Sequence, residues 1–156
     1  MDVHEQRFAV IQAFQASRTA LLAAIAGLSE EQLRTSAPDG WSALDHMAHV
    51  AHMDELRFFE ISRISQGHQA IHQGLTHEQG EALNQTGLDL RRPLPLAQML
   101  WELEFARARV LEAVQNATDE GLDASRYDYI SLGGGADHEQ EHAAAIAQIR
   151  TTLGSA

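Results

Sequence analysis

The chain has 156 residues, 44% hydrophobic and 21% charged, which suits one soluble domain with a core of its own. It holds no cysteine and no lysine, so disulfides, thiolate nucleophiles, sulfur metal ligands and lysine Schiff bases are excluded. A formal charge of −11 argues against nucleic acid or an anionic membrane surface as a partner.

From Val3 to about Leu28, Phe8, Ile11, Leu21, Leu22 and Ile25 recur among alanines at helical spacing, with Asp2 as N-cap and Gly27 as terminator. The cap-like Ser29 opens a single turn through Leu33, and Ala37-Pro38-Asp39-Gly40 breaks the chain. Ser42 with Asp45 three residues later resembles a capping box and predicts a second helix to about Gln66. Residues 67–92 are rich in Gly and Gln and read as a long connector with one short helix, opened by Thr76 and Gln79 and stopped at Arg91-Arg92-Pro93. A third helix spans roughly Leu96–Val114. The polar stretch Asn116–Ser125 follows, then Gly133-Gly134-Gly135, and a fourth helix capped by Asp137 runs to about Leu153.

No β-branched alternation appears. The expectation is an all-α single domain over residues 1–156: a four-helix bundle with a long crossover between the second and third helices. The most apolar run, Thr19–Leu28, is too short for a membrane span, and Met-Asp-Val-His-Glu-Gln-Arg lacks the layout of a signal peptide. No membrane partner and a cytoplasmic location are therefore expected.

Chemistry concentrates in nine histidines. Residues 138–142, His-Glu-Gln-Glu-His, spell the H-E-x-x-H string of zinc peptidases, with two imidazoles four apart on one helical face. Residues 143–156 offer no His, Asp or Glu, so a third ligand must come from upstream and the peptidase reading fails. Glu139, the general base of that reading, is then expected to be solvated. Only Glu139–His142 fits the Glu-x-x-His repeat that a di-iron bundle needs twice.

The second helix carries His46, His49 and His52 at intervals of three, aimed about 60° apart, so one metal takes one of them, His49 being central. With His138 and His142 this makes a three-histidine site with open positions, suited to zinc, nickel, copper or iron(II) rather than magnesium or calcium. The competing expectation is that all are solvated side chains, as assigned to His4, His68 and His77. His68 and His72 would pair on a metal only if their segment were helical. Because His49 and His138/His142 all lie near helix starts, the second and fourth helices are expected to run parallel. Trp41 and Trp101 are expected in the core, and packing is the expected role of Tyr127 and Tyr129.

The stretch Gly40-Trp41-Ser42-Ala43-Leu44-Asp45-His46-Met47-Ala48-His49 resembles the signature of the DinB-like family, in which Trp-Ser opens helix 2 and a metal histidine follows eight residues after the tryptophan. The terminal His138-x-x-x-His142 is similar to that family's helix-4 motif, and the connector Gly27–Leu33 and the segment around Asn84 also fit. The resemblance selects His49 over His46 and His52. It implies a metal-binding helical bundle, often dimeric, whose relatives include thiol-dependent transferases and a hydrolytic self-protection enzyme.

The function expected is metal-dependent hydrolysis or thiol S-transfer on a small molecule, with zinc or nickel, or else iron, on His49, His138 and His142. Any thiol must be a low-molecular-weight co-substrate, since the chain has no cysteine. The resemblance leaves a homodimer open as the assembly, and the sequence itself shows no dimer interface. The alternative is a non-catalytic, small-molecule-binding or stress-associated bundle whose metal is structural or absent.

Overall fold

The structure is a computed structural model that describes residues 3–37, 40–123 and 135–154. Apart from one isolated bridge between Ser36 and Ser42, the regular structure of these residues is entirely helical. In chain order the helices are α1 (Val3–Ile25), α2 (Glu30–Arg34), α3 (Ala43–Ser65), α4 (His77–Arg91), α5 (Leu96–Asn116), α6 (Asp119–Leu122) and α7 (Gly135–Gly154).

Local chemistry sets the boundaries. Gly27 leaves α1 at φ +78°, in the left-handed region that other residues adopt only under strain. Ser29 with Gln32, Ser42 with Asp45 and Thr76 with Gln79 each form a reciprocal capping box, satisfying backbone donors at the starts of α2, α3 and α4. The expected cap Asp2 lies outside the described residues. Asp137 is not a cap: α7 already begins at Gly135, and Asp137 sits in its first turn.

The short helix expected to open at Thr76 and Gln79 and to stop at Arg91-Arg92-Pro93 is α4, which fills 15 residues and packs along α3. Gly87 is what allows the close packing. Gly87 lies against the His52 ring, where any β-carbon would overlap Cγ and Cδ2. The helix-propensity cost, about 1 kcal/mol for a Gly, is offset by close approach.

Cross-helix contacts fix the directions of the long helices. Arg18 meets Asp54, Leu103 and Glu139, Phe14 meets Arg57 and Arg107, and Arg7 meets Val114 and Ala117. Thus α1 runs antiparallel to α3 and α5, while α7 runs parallel to α1, with Gly135 beside Phe14 and Arg150 beside Ala26. The expectation that the histidine-bearing helices run parallel is overturned. His46 pairs with His142 and His49 with His138, and Arg57 lies level with Gly135. α3 is therefore antiparallel to α7, which starts partway along it, so two sites near helix starts can meet. The parallel pair joined by the long connection is α3 and α5.

The core is divided. Beside a small third cluster that pairs Met53 with Leu56 stand two larger apolar clusters, one holding Leu21, Met47, Leu103 and Ile146 and the other Phe14, Ile61, Val110 and Leu122. Between them, at the same level on all four long helices, lies a buried polar layer of Ser17, Arg18, Asp54, Arg57, Arg107 and Glu139. Trp41 packs on the first cluster, but Trp101 is 59% exposed and stacks on Phe105, contrary to the expected core role. By length and apolar composition α1 would suffice to cross a membrane, which the shorter run Thr19–Leu28 did not suggest. Its Arg18 is tied into the buried layer of this fold.

Candidate metal centre

The capping box at Ser42 starts α3 so that His46 and His49 face α7 on neighbouring turns, where His138 and His142 face back from one side of α7. His138 Nε2 lies 3.2 Å from His49 Nε2 and 3.0 Å from His142 Nε2. One ligand atom from each of these three rings falls within 4.8 Å of the others. Zinc–imidazole bonds of about 2.0–2.1 Å at tetrahedral angles put ligand nitrogens about 3.3–3.4 Å apart. The observed spacings are close to that.

Hydrogen bonding alone does not account for the cluster. A ring nitrogen offers either one proton or one lone pair, so His138 Nε2 cannot bond well to both neighbours at once. A cation between the three rings satisfies all of them. The donor set therefore fits a divalent transition metal.

Electrostatics favours the ligating form. Burial, reinforced by repulsion from His138, His52 and Arg57, lowers the His49 pKa to about 3. Burial with repulsion from His138, His49 and His46 lowers His142 to about 2, and burial followed by Arg57 lowers His138. At neutral pH all three are uncharged, as metal ligation requires. His49 is buried, whereas His138 and His142 are half-buried, so the centre reaches the surface. Trp41 closes one side, its ring 5.5 Å from that of His49 and stacked on His142 at 6.0 Å.

The other histidines divide. His46 joins the cluster through His142, with Nδ1 2.8 Å from Nδ1. His52 is buried too, but against Gly87 on the α4 side. His4, His68 and His77 are exposed, as expected. The segment between α3 and α4 is not helical at His68 and His72, so these form no pair; His72 instead lies 3.2 Å from the buried carboxylate of Glu60. Tyr127, Tyr129, Gly133 and Gly134 lie outside the described residues.

Glu139 corrects the sequence reading outright. It is 1% exposed rather than solvated, because the 100° step from His138 turns it inward, not outward. Arg18 Nε donates to one oxygen at 2.7 Å, and Arg107 Nη2 donates to the other at 2.6 Å, alongside the Ser17 hydroxyl. Asp54 receives Arg18, Arg57 and Arg107. Among the described residues this layer sets three guanidinium groups against two carboxylates, and Arg18 also reaches Glu104 at 3.7 Å. Burial depresses the Arg57 pKa, and Asp54 works against that. The sequence reading singled out none of these partners. A signal existed: Arg18 stands between Phe14 and Leu21, and Arg107 between Leu103 and Val110, each at a core-facing helical position.

A model of the DinB superfamily matches residues 13–146. The chain belongs to the DinB superfamily. No curated protein and no solved structure matches it. The DinB match takes in most of α1, all of α3 to α6 and the part of α7 that carries His138 and His142, so the whole three-histidine group lies inside it.

Proposed function

We propose that this DinB protein is a four-helix bundle that holds one divalent transition metal through His49, His138 and His142 and uses it on a small molecule in the cytoplasm. The carrying observation is the convergence of three uncharged imidazoles from two antiparallel helices at a point reachable from the surface. Zinc and nickel suit an all-imidazole set, and iron(II) is the third candidate. When bound, such an ion supplies Lewis acidity, lowering the pKa of a water or thiol and polarising an electrophile. The reaction class is hydrolysis or S-transfer from a low-molecular-weight thiol.

The chain's own groups shape this chemistry. The three histidines hold the ion, and Trp41 excludes solvent from one flank of the rings. Both oxygens of Glu139 are engaged by Arg18, Arg107 and Ser17, so it holds the helices in register and moves no proton at the centre.

A second, non-catalytic reading has support of its own. A groove of about 680 Å³ between α3, α4 and α5, lined by Phe58, Phe59, Leu94, Trp101 and Phe105, has the size and lining of a small-molecule site away from the histidines. The exposed Trp101–Phe105 stack is also the feature that favours a homodimer, which light scattering would test.

The deciding experiment measures metal per chain by elemental mass spectrometry, in protein purified without chelator and in a His138→Ala/His142→Ala variant. Near-stoichiometric metal, lost in the variant, supports the centre. Turnover of generic electrophiles with water or small thiols, abolished in His49→Ala, supports catalysis; equal turnover in both leaves the binding reading. An apoprotein that refuses zinc, nickel and iron(II) sinks the proposal.

A further inference from the structure

We propose that His46 is a positioning residue for this centre: its Nδ1 accepts the proton carried on His142 Nδ1 and so holds His142 in the tautomer that presents Nε2 to the metal. The inference rests on the three-histidine reading above and adds a residue that the reading does not use.

The two nitrogens of one imidazole face different ways. His142 Nε2 lies 3.0 Å from His138 Nε2, at the converging side of the cluster, while His142 Nδ1 lies 2.8 Å from His46 Nδ1. His46 therefore stands behind His142. It is not a fourth ligand, since the mutually close donor atoms belong to His49, His138 and His142. Helical register produces this arrangement: three residues on α3 turn about −60°, so His49 faces the centre and His46 faces the back of His142.

Proton counting then fixes both rings. Neutral imidazole carries one proton on one nitrogen, and a metal on Nε2 requires that proton on Nδ1. His142 Nδ1–H donates to His46 Nδ1, whose own proton must sit on Nε2. Partners of this kind orient metal-binding histidines and raise their basicity. Trp41 keeps the pair from swinging, its ring stacked on His142 at 7° and tilted against His46 with centroids 5.1 Å apart.

The test uses the full chain, stripped of metal and titrated with zinc(II) against a chromophoric chelator, as wild type, His46→Asn and His46→Leu. Asparagine places Oδ1 where histidine has Nδ1 and keeps the acceptor, and leucine removes it. Wild type should bind one zinc, His46→Leu should bind roughly 10- to 100-fold more weakly, and His46→Asn should stay within a few-fold of wild type. Nitrogen-15 spectra of zinc-loaded wild type, which need no variant to fold, should show His142 protonated on Nδ1 and metallated on Nε2. Equal affinity in wild type and His46→Leu, an Asn variant as weak as the Leu variant, or zinc on His142 Nδ1 would each overturn the role of His46 while leaving the three-histidine centre standing. Failure of wild type to bind zinc overturns both.

Discussion

Arg107 and Glu139, on α5 and α7, meet at 2.6 Å with both side chains at most 4% exposed, in the layer that separates the two larger apolar clusters. Such a pair is costly to desolvate, and removing one partner strands the other's charge, at about 3–5 kcal/mol. Glu139→Ala also leaves Arg18, Arg57 and Arg107 sharing Asp54 among the described residues of the layer. In a domain of this size 1 kcal/mol corresponds to about 2–4 °C, so melting should fall by roughly 6–20 °C. Glu139→Gln keeps shape and acceptor and should lose less, while still taking up metal at wild-type stoichiometry. A Gln variant that is stable yet metal-free would mean that Glu139 belongs to the centre after all.

The histidine cluster gives the metal-free protein a pH dependence of known sign. His49 and His142 have pKa values lowered to about 3 and about 2 from 6.5, by burial first and by neighbouring positive charge second. Between these limits the unfolded chain binds protons that the folded chain refuses, so stability rises with pH in that window and falls as pH drops below 6.5. Each such group contributes about 1.4 kcal/mol per pH unit where fully shifted. Melting of apoprotein from pH 7 to pH 5 should therefore slope downward, and His49→Ala/His142→Ala should flatten the slope. An unchanged slope in the double variant would place the acid sensitivity elsewhere.

What was legible in the sequence follows from how local each signal is. Ser42–Asp45 and Thr76–Gln79 are closed within four residues and announced two helix starts correctly. The His138–His142 spacing likewise survives, because one helical face is a local property. The direction of α7 against α3 is not legible, because it depends on where α7 begins relative to Arg57, which no local pattern encodes. The burial of Glu139 is not legible for a similar reason: its partners lie 121, 122 and 32 residues away. The ends of α4 are legible at Thr76 and Arg91-Arg92-Pro93, whereas its close packing on α3 is not, because Gly87 is a helix breaker by propensity and a packing requirement by contact.

That contact is separable by substitution. At Gly87 a β-carbon would overlap the His52 ring, and at Gly135 it would fall 2.8 Å from both Arg57 Nε and Phe14 Cζ. Gly154, with nothing within 4 Å, is the control. Overpacking costs about 1–3 kcal/mol, so Gly87→Ala and Gly135→Ala should each lower the melting temperature while Gly154→Ala does not. Adding His52→Ala to Gly87→Ala should recover part of the loss, a coupling that a double-mutant cycle reads directly. Strict additivity would show that Gly87 matters for some reason other than His52.

Glu60 ties the segment between α3 and α4 to the core. Only 1% exposed, it accepts the Arg63 guanidinium at 2.6 Å and the backbone N–H groups of Ile71 and His72 at 3.2 Å each. Burial raises its pKa, but Arg63 and the two backbone donors outweigh burial and leave it lowered. A lowered carboxylate contributes stability that is present above the unfolded value near 4.5 and is lost as pH falls through the folded one. The segment should thus be protected at neutral pH and open in acid, in the lower part of the range over which the histidines act. Glu60→Gln offers one acceptor where the carboxylate offers two, leaving a buried donor unpaired at about 1–3 kcal/mol. Limited proteolysis between residues 66 and 76 should then become severalfold faster at pH 7, with metal uptake unchanged. Cleavage as slow as in wild type would show that the backbone of this segment is held by something other than Glu60.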